Sequence, residues 1–116
     1  MGTERGDRQL TKLEDRYAGY DVVDDRTGEK IGSVEAAFLD ERDQHEYVAV
    51  RMGLAGLIPG TGSSLIPMAV ADRVDHNRRT IEVSVDKDTV KDSPSVNTMR
   101  GLSSEQAAQV RGYYRL

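Results

Sequence analysis

Between Tyr20 and Val85 the apolar residues recur at every second position, in short runs broken by polar turns. Side chains on a strand point alternately to opposite faces, so this spacing selects strands with at least one buried face. YDVVDD is followed by DRTG, a polar turn in which Gly28 is free to take positive φ. In EKIGSVEAAFLD, strict alternation puts Gly32, Val34, Ala36 and Phe38 on one face and Ser33, Glu35 and Ala37 on the other. Together these runs predict a hairpin over residues 20–40. After the ERDQHE turn, YVAVRMG sets Val48, Val50 and Met52 against Tyr47, Ala49 and Arg51. SLIPMAVADRV aligns Ile66, Met68 and Val70, with Pro67 confined to an edge, a bulge or a strand start because it has no N–H to donate. DHNRR is a turn, with Asn77 the residue best suited to a left-handed conformation. TIEVSV then places Ile81, Val83 and Val85 inward. About five strands at hairpin spacing predict an antiparallel sheet that curls into a small β-barrel.

The flanks read differently. Residues 1–18 are a flexible polar leader by composition, with at most a helical turn near Leu10 and Leu13. DKDTVKDSP predicts one helical turn stopped before Pro94, with Asp86 or Asp88 at its positive end. Farther on, Ser103 and Gln106 stand at capping-box spacing, and Ala107, Val110 and Tyr114 share a helical face. Gly112 falls where that helix should end. The chain of 116 residues suits one domain over residues 19–94, with a C-terminal extension over 95–116 that carries the short helix.

Several chemistries fail on spacing. GLAGLIPGTGSSLIP, residues 53–67, has the glycines of a phosphate loop but no lysine, and it leads into a strand rather than a helix. Gly62-Ser63-Ser64 lacks the second glycine of a nucleophile elbow. His45 and His76 both fall in predicted turns. Counting from Asp24 or Asp86, the glycine of a calcium loop is missing. Without cysteine there is no disulfide, thiolate or Cys-zinc chemistry. The formal net charge of −4 resides in an acidic middle, which disfavours direct contact with nucleic-acid phosphates. No apolar run approaches the ~20 residues of a membrane span, and the N-terminus lacks the apolar segment of a secretory signal. Met1-Gly2 is not followed by the Ser or Thr at position 6 that myristoylation requires, since Gly6 stands there. A cytoplasmic protein is expected, with no catalytic, cofactor-binding or metal-binding residues.

The order of elements resembles the PRC-barrel family, which includes the cytoplasmic domain of the photosynthetic reaction-centre H subunit and the C-terminal domain of the ribosome maturation factor RimM. The resemblance rests on Asp25, Gly28, Ile31, Gly32 and Val34, on Ile66-Pro67, on Val90, Ser93 and Pro94, and on Tyr113-Tyr114. Arg115 stands where stand-alone bacterial members usually carry glycine. What it implies is a mainly β fold, a PRC-type barrel of five to six strands with a short C-terminal helix, and no shared catalytic residue. The function expected is that of a protein-interaction or assembly adaptor, a homodimer with a further protein partner. Leu54, Leu57 and Ile58 sit among glycines too small to cover them, so they either plug the barrel's own mouth or are buried against a second chain. Tyr113 or Tyr114 is expected to pack on the barrel or on that partner. The alternatives are a ribosome-associated factor like RimM and a small-ligand or metal-binding barrel.

Overall fold

The structure is a computed structural model that describes residues 8–53 and 62–116. Among the described residues, eight strands form one sheet: β1 Thr11–Lys12, β2 Asp21–Asp24, β3 Lys30–Asp40, β4 His45–Arg51, β5 Ser63–Pro67, β6 Ala71–Asp75, β7 Thr80–Val83 and β8 Ser95–Val96. Two helices, α1 Lys87–Lys91 and α2 Ser104–Tyr113, complete it. The order is β6-β7-β2-β3-β4-β5-β8, with β1 paired to β3 beside that path. Two expectations are corrected here. The sheet is mixed, because β7 lies parallel to β2. It is also not closed into a barrel, for no ladder among the described residues joins β6 to β8. The physical reason lies in the two end strands. β6 carries Asp72, Arg73 and Asp75 with a register shift between Ala71 and Arg73, and charge and a bulge both discourage further pairing. β8 is only two residues long.

β3 organises the rest. Glu35 is an extra residue opposite the Val34–Val50 and Ala36–Ala49 pairs of β4, and Ile31 is an extra residue opposite β2. Each bulge reverses the alternation that follows it. Val34 and Ala37 therefore share one side of the sheet, and Ala36 and Phe38 the other, unlike the single face that strict alternation predicts. Both sides are buried. On the first, Val22, Val48, Val50, Ile66, Ile81 and Val83 meet Val90 of α1. On the second, Phe38, Tyr47, Ala49 and Leu65 are covered by Leu102 and by Ala107 and Val110 of α2. Gly32 has its own reason to be glycine: a Cβ there would stand 2.5 Å from the Arg51 carbonyl oxygen of the neighbouring strand.

The expected leader is, from Arg8 on, part of the fold. Leu10 is buried in the second cluster, its N–H donates to the Leu102 carbonyl, and β1 pairs with the far half of β3. Arg8 makes a two-pronged contact with Asp40 at 3.1–3.2 Å; its N–H donates to the Ser104 hydroxyl oxygen and its carbonyl accepts from the Ser104 N–H. Residues 8–13 thus strap α2 to the sheet. The first seven residues lie outside the description.

Local signals at the helices held. Asp86 caps α1 by accepting from the Thr89 N–H at 2.8 Å, and Ser103 and Gln106 form the reciprocal capping box of α2. At the other end, Leu116 N–H donates to the Arg111 carbonyl and Arg115 N–H to that of Gly112, the double bond of a Schellman motif. Arg115 takes the left-handed φ of 62° in the place where glycine is usual, so the helix runs past Gly112 to Tyr113. Gly28 has φ 77°, as its turn requires; in the later turn it is Arg79, at φ 53°, and not Asn77, that adopts the left-handed conformation.

Candidate functional site

The β4–β5 ladder runs from Arg51–Ser63 at one end to Tyr47–Pro67 at the other. Beyond Pro67 the chain breaks strand geometry and makes a 3-10 turn over Met68–Val70, since proline offers no further ladder donor. That turn leaves Ala69 exposed and Met68 half-buried. The connector into β2 swings Tyr17 alongside, at a left-handed φ of 58°. Behind them the Schellman turn folds Leu116 back toward the sheet. Tyr17, Tyr47, Pro67, Met68, Ala69 and Leu116 thereby wall a groove of about 410 Å³, with Gln44, His45, Glu46 and Arg111 on its rim.

The rim charges are compensated within the chain. Arg16 pairs with Glu46 at 3.3 Å, and Asp43 is shared by Arg111 at 3.3 Å and His45 at 3.8 Å. A groove with apolar walls and paired rim charges suits an uncharged, apolar occupant. Burial pushes the Tyr47 hydroxyl above the ordinary phenol range, with Arg111 pulling weakly the other way. Tyr17 is braced from outside: its ring stacks on His76 at 6.3 Å, and the Tyr20 hydroxyl meets His76 Nδ1 at 2.8 Å.

Of the residues singled out from sequence, Leu54, Leu57 and Ile58 lie outside the described residues. Tyr113 is partly exposed and its hydroxyl donates to the Thr89 carbonyl at 2.7 Å, tying α2 to α1. Tyr114 packs against both core clusters. The two rings meet edge to face at 4.9 Å. Ser63 is buried and its hydroxyl donates to the bulged Glu35, while Ser64 Oγ contacts Met52 Sδ at 3.8 Å. His45 begins β4, at the far end of the ladder from Ser63, so no serine–histidine pair forms there.

The acidic turns do converge. Asp24, Glu29, Asp86 and Asp88 surround a polar hollow of about 550 Å³ together with Arg26 and Lys87. Their commitments are structural: Asp24 is held below the usual carboxylate range chiefly by the Arg26 backbone N–H, and Asp86 chiefly by the Thr89 hydroxyl it accepts from. Among the described residues, no group of three or more His, Asp or Glu could hold a metal ion. Likewise, no helix among them is long and apolar enough to cross a membrane. The groove was missed from sequence because its walls come from four separated segments. The one local signal was Pro67 followed by Met68-Ala69, a break in an otherwise alternating run.

The fold and the motif glycines are those of a known class. The family model of the PRC-barrel domain matches residues 15–90, and the chain belongs to that family. A search among curated proteins finds no match.

Proposed function

We propose that the chain is a non-enzymatic interaction module that self-associates, with the groove at the Tyr47–Pro67 end of the β4–β5 ladder as its contact surface. The observation that carries this reading is the groove itself, walled by tyrosine, methionine and aliphatic side chains and rimmed by charges already paired. Tyrosine and methionine are the side chains enriched in the buried centres of interfaces, where they supply large contact area. Sedimentation velocity from low to high micromolar concentration tests it. Concentration-dependent association is expected, and Ala69→Glu should suppress it without lowering the melting temperature, because Ala69 is exposed. A protein that stays monomeric throughout, or an Ala69→Glu variant that associates like wild type, would sink the proposal.

A second reading is favoured by the size of the groove. The groove volume of about 410 Å³ lies within the range of small-molecule sites. A thermal-shift screen of apolar ligands separates the two, since a small ligand would stabilise the monomer.

A further inference from the structure

Tyr47 and Arg111 line two hollows, the apolar groove and a second one of about 400 Å³ beside α2. The second is built differently. The β3–β4 turn brings Arg42 and Asp43 to Ala107 and Ala108 of α2, whose short side chains leave the space open, and Arg8 and Asp40 complete the lining. Three arginines thus stand against two aspartates, in a chain whose formal net charge is −4. From this adjacency we infer that groove and hollow form one site for a small amphiphilic acid. Its apolar body lies in the groove and its carboxylate meets Arg111 and Arg42. This deepens the small-ligand reading above and names the ligand's chemistry.

The three arginines are not equally available. Arg8 commits its guanidinium to both oxygens of Asp40, which is almost fully buried. Asp40 also accepts from the Arg42 N–H at 3.1 Å, which fixes the turn that carries Arg42. The Arg42 side chain itself is exposed and pairs with no carboxylate among the described residues. Arg111 is held to Asp43 through Nη1 alone, at 3.3 Å, so its other N–H donors are not committed to a carboxylate. Asp43 has further support from the His45 N–H at 3.1 Å. Arg111 therefore keeps donors for an incoming head group, and Arg42 supplies the charge that no internal partner balances. A carboxylate matches the planar fork of a guanidinium, and one unbalanced arginine suits a single negative charge. Arg111 lies in the last turn of α2, where free carbonyls would repel an anion. Those of Val110, Arg111 and Gly112 are taken, by the N–H groups of Tyr114, Leu116 and Arg115. A wholly polar anion gains nothing from the walls at Tyr17, Pro67 and Met68, and an uncharged molecule gains nothing from Arg42. Apolar walls with a few placed polar groups are the usual make-up of a small-molecule site.

Octanoate and octan-1-ol share a tail and differ in the head, so the pair separates body from charge. Each is titrated into the full chain at neutral pH while the Met68 and Ala69 methyl signals are followed by NMR. Both should shift those methyls saturably, with octanoate bound about tenfold more tightly. Arg42→Gln should bring octanoate to the octanol value and leave octanol unchanged, whereas Ala69→Glu should weaken both. Added salt should weaken octanoate alone, because exposed charges are screened. Equal binding of the two heads, or octanoate binding indifferent to Arg42→Gln, overturns the acid and leaves the small-ligand reading standing. Octanoate binding that leaves the methyls unmoved and survives Ala69→Glu is an anion site alone and overturns the joined site. Methyl signals that neither compound moves overturn the joined site and the small-ligand reading together.

Discussion

Tyr114 buries its phenol oxygen without a hydrogen-bond partner among the described residues. Ser93 stands nearby, but its hydroxyl is committed to the Val90 carbonyl at 2.8 Å. Burial pushes the Tyr114 hydroxyl from its ordinary value of 10 up to about 12, with Ser93 offsetting a little. A group whose folded pKa is raised favours the folded state while protonated. Its contribution is therefore complete below pH 10 and is lost as the pH climbs toward about 12. The loss should be on the order of 2 kcal/mol, at ~1.4 kcal/mol per pKa unit, and Tyr47 adds to it with the same sign. Tyr114→Phe keeps the ring packing and removes the unpaired oxygen, so it should raise stability at neutral pH by about 1 kcal/mol. It should also flatten the alkaline decline. Urea melts of both proteins at neutral and alkaline pH check this, and a destabilised phenylalanine variant would show that the hydroxyl has a partner after all. The sequence placed this tyrosine on a buried helical face. It could not show that the hydroxyl is stranded, because that depends on where α1 and Ser93 end up.

At the scale of elements, the strap over residues 8–13 depends on tertiary context. It offers two apolar side chains, Leu10 and Leu13, and its polar composition reads as a leader. In the fold Leu10 is 7% exposed and seated between β3 and α2, while the Arg8–Asp40 pair shields a carboxylate that is itself almost fully buried. Leu10→Ala should cost about 2–4 kcal/mol, the range for removing a buried leucine that leaves a void. Chemical denaturation monitored by circular dichroism measures it; a loss below about half a kilocalorie would mean that the strap is held by its hydrogen bonds alone. The β3 bulges are equally hidden in the sequence. EKIGSVEAAFLD alternates well enough on paper, yet Ile31 and Glu35 are extra residues that turn the strand twice. Only pairing with β2 and β4 shows it. The helices were legible because their caps are local: Asp86 with Thr89 and Ser103 with Gln106 lie three residues apart.

For the whole molecule, the second face of the sheet is closed by residues far from it in sequence. Leu102, Ala107 and Val110 cover Phe38, Tyr47 and Leu65, and β8 pairs with β5, so the stretch after residue 94 is part of the same hydrophobic body. Truncation after Gly101 should abolish cooperative thermal unfolding. Burying each such aliphatic side chain contributes roughly 1.5–3 kcal/mol where it is larger than alanine, against a total of about 5–15 kcal/mol for a domain. A truncated chain that still melts sharply near the wild-type temperature would refute this. The sequence by itself determined β2, β3, β4 and β7, the start of β5, most turns, both helix caps and the family, because alternation, turn chemistry and capping act between residues a few positions apart. Tertiary structure alone decided the parallel β2–β7 pairing, the open edges, the strap and the groove. Those features depend on one-residue shifts in register and on segments that meet only once the sheet has curled.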